Sequence, residues 1–104
     1  MIIVNTPEIH NKKITETLGI ARGSIVRARN VGQDIFAGLK NIIGREISEY
    51  TKLQTQSREQ ALQRMIDEAE RMGANAILNV RLTTSMVMQG CSEILAYGTA
   101  VLVE

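Results

Sequence analysis

The stretch NAILNVRLTTSMVMQGCSEILAYGTAVLV, residues 75–103, decides the fold. Over 75–88 apolar and polar residues alternate, with Ala76, Leu78, Val80, Leu82, Met86 and Met88 on one face and Asn79, Arg81, Thr83 and Ser85 on the other. A period of two marks a strand with one buried face. Gln89-Gly90 reads as a tight reversal, and residues 94–103 form its hairpin partner. In that partner Ile94, Ala96, Ala100 and Leu102 point one way, and Leu95, Tyr97, Val101 and Val103 the other. A strand apolar on both faces requires cover on both.

Working outward, residues 46–72 run without proline. Ile47, Tyr50, Leu62, Met65, Ile66, Ala69 and Met72 trace an apolar stripe at helical spacing. Gly73 supplies the left-handed stop. A short helix is expected from Asp34, with Phe36, Leu39, Ile42 and Ile43 at helical spacing and Gly44 ending or kinking it. Residues 14–29 read as a long, bent first strand in which Ile14, Leu18 and Ile20 share a face. Gly23 inside it marks a bulge or a close backbone approach. A short extra strand is expected at residues 2–4. The order strand, helical segment, strand, strand defines one α+β domain over 1–104, with the helices on one sheet face.

The helices then leave Leu95, Tyr97, Val101 and Val103 without cover from this chain. With 104 residues and only Phe36, Tyr50 and Tyr97 as large rings, the core is thin. A domain of this size buries roughly 65% of the surface its unfolded chain exposes. A second copy is the expected cover, and a modest exposed patch on a monomer is the alternative.

Charge and composition exclude several classes of partner. Twelve basic residues against eleven acidic give a net charge of +1, too weak a field to gather nucleic acid or anionic lipid. Arg22, Arg27 and Arg29 cluster without interleaved aromatic platforms, as at a solvated basic strand end. No segment approaches the ~20 apolar residues of a membrane span. The apolar start, Met1 to Val4, is cut short by Asn5, Thr6 and Pro7, unlike a secretory leader. The lone Cys91 fits a reducing compartment, so a cytoplasmic location is expected.

The segments GANAILNVR at 73–81 and EILAYGTAV at 93–101 resemble the signature of the YbjQ-type family. So do Thr84-Ser85, VGQDIFAGL at 31–39, the pair Glu49-Tyr50, and Arg58 followed by Ala61. Gly44-Arg45 departs from the two consecutive glycines usual there. The resemblance spans essentially the whole chain. It implies a dodecin-like β-α-β-β subunit assembling into a ring, most often a pentamer. A heavy-metal-binding label attached to the family adds some weight to a soft-metal reading.

Motifs for chemistry are sparse. No phosphate-binding G-x-x-x-x-G-K-[ST] run is present, and no G-x-G-x-x-G follows a strand. Structural zinc wants four Cys or His ligands, and the chain has one of each. Cys91 follows Met86 and Met88 closely enough to offer a thiolate and two thioethers, a set that suits Cu(I) and similar ions. The same methionines suit core gap-filling equally well. His10 reads as a solvated histidine, and the spacing gives no reason for it to meet Cys91. Asp67, Glu68 and Glu70 read as a solvated helix face. Asn79, Arg81, Thr83 and Ser85 could line an interface or lumen beside Tyr97, as a polar pocket for a small molecule or anion or as a polar rim between subunits. No nucleophile, base and orienting group stand at suggestive spacing, so no enzymatic centre within one subunit is expected. No cofactor other than a soft metal ion is implied.

Overall fold

The computed structural model describes residues 1–28 and 48–104, with side chains over 1–27 and 54–104. The short helix expected from Asp34, and the side chains of Arg29, Ile47 and Tyr50, lie outside the described residues. The elements are β1 (Ile2–Ile3), β2 (Ile14–Ala28), α1 (Ser48–Arg71), β3 (Ala76–Met88) and β4 (Cys91–Val103). They form an α+β unit whose four-stranded mixed sheet has the order β1-β3-β4-β2. β4 is antiparallel to both β2 and β3, and β1 is parallel to β3.

The β3–β4 hairpin closes as its sequence suggests. Met88 faces Cys91, Gln89-Gly90 is the loop, and Gly90 takes a φ of 81°. The helix ends equally locally. Gly73 has a φ of 89°, its N–H donates to Glu70 O and the Ala74 N–H to Ala69 O, which is a Schellman closure.

α1 lies across β2 and β4. Ala61, Met65 and Ala69 are fully buried at a spacing of four, against Ala21, Ile25, Ile77, Ile94, Ala96 and Ala100. The approach is close because Gly23 sits beneath the helix backbone. A Cβ on Gly23 would come 2.5 Å from Ala61 O and 2.6 Å from Arg64 C. Gly23 is therefore a close approach and not a bulge. The bulges of β2 fall earlier, between Ile14 and Glu16 and between Thr17 and Gly19. They turn Leu18 toward the helix, while Ile14 and Ile20 stay exposed, so the three do not share a face as expected.

A second correction concerns β3. Leu78 faces Thr99 but Arg81 faces Tyr97, so Asn79 and Val80 together oppose Gly98. Asn79 has a φ of 53°, a left-handed conformation that asparagine tolerates. This bulge reverses the alternation read from the sequence. Val80 and Leu82 turn to the α1 side, and Arg81, Thr83 and Ser85 join Ala76 and Leu78 on the face away from α1.

The third correction concerns cover. Val101, only 1% exposed, and Val103 are buried with Ala76 and Leu78 against Val4 and Ile9 of the chain's own N-terminal segment. That segment is held by backbone bonds: Ile2 N–H to Asn75 O, Val4 N–H to Ile77 O, Asn79 N–H to Thr6 O and Val80 N–H to Val4 O. The Asn75 side chain clamps the same end, accepting from Val103 N–H at 2.8 Å and donating to Val103 O at 2.9 Å. No second copy is needed there. Leu95 and Tyr97, on the same face but beyond the reach of that segment, remain partly exposed or exposed.

Because the clash at Gly23 is with helix backbone, it cannot be relieved by a rotamer change. Gly23→Ala is expected to destabilise the subunit by about 3 kcal/mol or more, lowering its thermal midpoint by more than about 10 °C in a circular dichroism melt.

Candidate functional site

The sheet face away from α1, beyond the N-terminal segment, is built from three strands in register. Arg22 of β2, Tyr97 of β4 and Arg81 of β3 occupy one cross-strand row. The next rows are Ser24, Leu95 and Thr83, then Val26, Glu93 and Ser85. On the other side lie Ile20, Thr99 and Leu78. Adjacent strands are about 4.8 Å apart, so both arginines are cross-strand neighbours of Tyr97. Nearest-neighbour side chains on one face interact directly at this spacing. Two guanidiniums flanking a phenol make a surface that favours anions and planar groups.

Arg81 also has a structural task. Its Nη1 donates to Asn5 O and to Val80 O, each at 3.1 Å, which ties the N-terminal segment to the bulge. Arg22 is exposed. Arg27, grouped with it in the sequence, lies on the opposite face, where Nε donates to Ser57 Oγ and Nη2 to Gln60 Oε1, both at 3.1 Å. Arg22 and Arg27 are thus on opposite sheet faces, as an odd separation imposes in the regular part of β2.

Of the four polar residues expected to act together, Arg81 and Tyr97 are paired in the β3–β4 register. Ser85 lies four residues farther along β3, about 13 Å away at the usual strand rise, beside Glu93. Asn79 sits in the bulge, where its backbone N–H is bonded to Thr6. Arg22 was not singled out from sequence as a partner of Tyr97, since only the β2–β4 register reveals the pairing.

The soft-metal candidates are only partly gathered. Cys91 is a free, half-exposed thiol paired across the hairpin with Met88 and across β2 with Ala28. Met86 faces Ser92 instead, after a register slip. The methionines do not fill a core: Met86 is 77% and Met88 64% exposed. His10 follows Ile9, which packs against Val101, ten residues along β4 from Cys91 and about 33 Å away by strand rise. Among the described residues no group of three or more His, Cys, Asp or Glu could hold a metal ion, and no helix is long and apolar enough to cross a membrane.

The fold and face together define a small α+β protein with one sheet face covered by α1 and, among the described residues, a second face bearing a basic row. The chain belongs to the YbjQ family, whose model, described as "Putative heavy-metal-binding", matches residues 1–104. Two similar relatives bear the name UPF0145 protein. One, from Methanosarcina acetivorans, is 54% identical over 97% of this chain and 95% of its own length. Another, from Dehalococcoides mccartyi, is 50% identical over the whole of both chains. Among solved structures, a Pediococcus pentosaceus protein of the DUF74 family, of unknown function by its own description, superposes with a TM-score of 0.61 at 18% identity, covering 100% of this chain and 98% of its own. That likeness concerns the fold.

Arg81→Ala should release the N-terminal segment while leaving the helix-side core intact. Hydrogen exchange at Val4, Asn79 and Val80 is expected to quicken by about fivefold to thirtyfold, corresponding to one or two lost hydrogen bonds of about 1 kcal/mol each, with Ala61–Ala69 unchanged.

Proposed function

We propose that the protein works as a ring-shaped homo-oligomer of dodecin-like subunits, serving as a scaffold whose helix-free faces bind small anionic ligands. Five subunits is the number the family resemblance favours. The observation that carries this reading is the composition of the open face and hairpin end. Arg22 and Arg81 flank Tyr97 in the register, Ile20 and Val26 lie on the same face as exposed apolar side chains, and Met86, Val87 and Met88 are exposed at the hairpin end. Such a patch favours association, and repetition of the arginine row around a ring multiplies its local field.

A second reading, soft-metal binding, is favoured by the register pair Met88 and Cys91. One subunit offers a thiol and a thioether side by side, and further donors would come from neighbouring copies.

Static light scattering is expected to return a mass several times 11.5 kDa at micromolar concentration; a mass of one subunit removes the proposal. Titration with pyrophosphate in low salt, followed by calorimetry, should show binding that Arg22→Gln weakens at least tenfold and that 0.5 M salt abolishes. The metal reading is separated by titrating untagged protein with Cd(II). Stoichiometric binding lost in Cys91→Ser, with the pyrophosphate response unaltered, would establish it, whereas equal behaviour of both proteins would dismiss it.

A further inference from the structure

Arg81 uses a single nitrogen to join two parts of the chain. Its Nη1 donates to Asn5 O in the N-terminal segment and to Val80 O in the bulge, each at 3.1 Å, so both hydrogens of that nitrogen are engaged. Nε and Nη2 donate to none of the described residues. Those two nitrogens form the edge of a guanidinium that grips an oxyanion with two parallel N–H···O bonds. Arg81 shares its cross-strand row with Tyr97 and the exposed Arg22. On that face of β4 the nearest carboxylate, Glu93, stands four residues from Tyr97, about 13 Å at the usual strand rise.

We infer that this row takes a phosphate-type oxyanion, with several charged oxygens on one centre, and that its binding locks the N-terminal segment onto the sheet. The inference rests on the anion-binding face proposed above and names the regulation built into it. With the segment released, Arg81 loses the Asn5 carbonyl and regains rotamer freedom, so a ligand must order the side chain as it binds. With the segment docked, the two carbonyl bonds have already ordered it, and the docked form binds the anion more tightly. Linkage makes the effect reciprocal: an anion that prefers the docked form stabilises docking by the same factor. The anion has no need to displace Asn5 O, because its bonds go to Nε and Nη2 and not to the hydrogens of Nη1. The segment in turn covers Val101 and Val103 through Val4 and Ile9, so occupancy of the row governs how firmly that end of the core stays closed.

Hydrogen exchange of the full chain with and without saturating inorganic pyrophosphate tests this, with binding itself followed by calorimetry. The amides of Val4, Asn79 and Val80, whose bonds hold the docked segment, are expected to exchange at least about fivefold more slowly with pyrophosphate bound, while those of Gln89 and Gly90 in the hairpin loop do not change. In Arg22→Gln the affinity falls but the slowing at saturation persists, because among the described residues no hydrogen bond joins Arg22 to the segment. In Arg81→Lys both the affinity and the slowing are lost, since an ammonium lacks the planar fork that holds two carbonyls and an oxyanion together. Pyrophosphate binding that leaves the three amides unchanged overturns the coupling and leaves the anion-binding face standing. Faster exchange at them means that the anion competes with Asn5 for Arg81, and it overturns the coupling as well. Slowing of equal size in Arg81→Lys removes Arg81 from the linkage and refutes the inference. No pyrophosphate binding at all removes the face and the coupling together.

Discussion

Asn79 and Val80 stand together opposite Gly98, and much of the rest of the structure depends on this bulge. The crowded strand leaves no room for a side chain across from it: a Cβ on Gly98 would lie 2.6 Å from Ile77 Cγ2 and 2.9 Å from Leu78 O. Both N–H groups of the bulge, those of Asn79 and Val80, donate to carbonyls of the N-terminal segment, Thr6 and Val4. An unpaired buried N–H costs about as much as a lost hydrogen bond, so the segment and the bulge stabilise each other. The same reversal brings Arg81 to Tyr97, and the guanidinium then holds Asn5 in place. One local irregularity thus docks a strand, covers Val101 and Val103, and creates the basic row.

Cover over the sheet is uneven for a related reason. α1 follows β2 and β4, drawn down by the side-chain-free Gly23 and the small Ala61, and the N-terminal segment reaches only the end of the sheet near Val101. The hairpin end of β3 receives neither. Fully burying a side chain such as Val or Met is worth about 1.5–3 kcal/mol, so exposed Met86, Val87 and Met88 represent free energy that association can still recover. In a domain of this size that is a large share of the net stability. The hairpin end is therefore the least covered part of the sheet among the described residues.

The chemistry divides along the same line. Arg22 and Arg81 sit on a rigid sheet in fixed register with Tyr97, which is the preorganisation a binding surface needs. Cys91 and Met88 sit at the hairpin closure, with Met86 displaced by the slip in register. A single subunit thus presents an organised cationic row and an incomplete soft-donor pair.

Much of the architecture was legible locally. The alternation in residues 75–88, Gln89-Gly90, the stripe from Leu62 to Met72 and the stop at Gly73 each act within a few residues, and β3, β4, their hairpin and the helix with its C-cap formed where those signals lie. The family signature and the two-sided apolarity of β4 were likewise written in the chain. Parity beyond the bulge was not, because a single left-handed Asn79 exchanges the faces of every later residue in the strand and leaves no mark in the hydrophobic pattern. Nor could the chain by itself announce that Val4 and Ile9 cover Val101 and Val103, or that Arg22 stands beside Tyr97 while Arg27 turns to Ser57. Periodicity is a property of neighbours along the chain. Register and cover are relations between residues far apart in it, and only the closed sheet settles which of them meet.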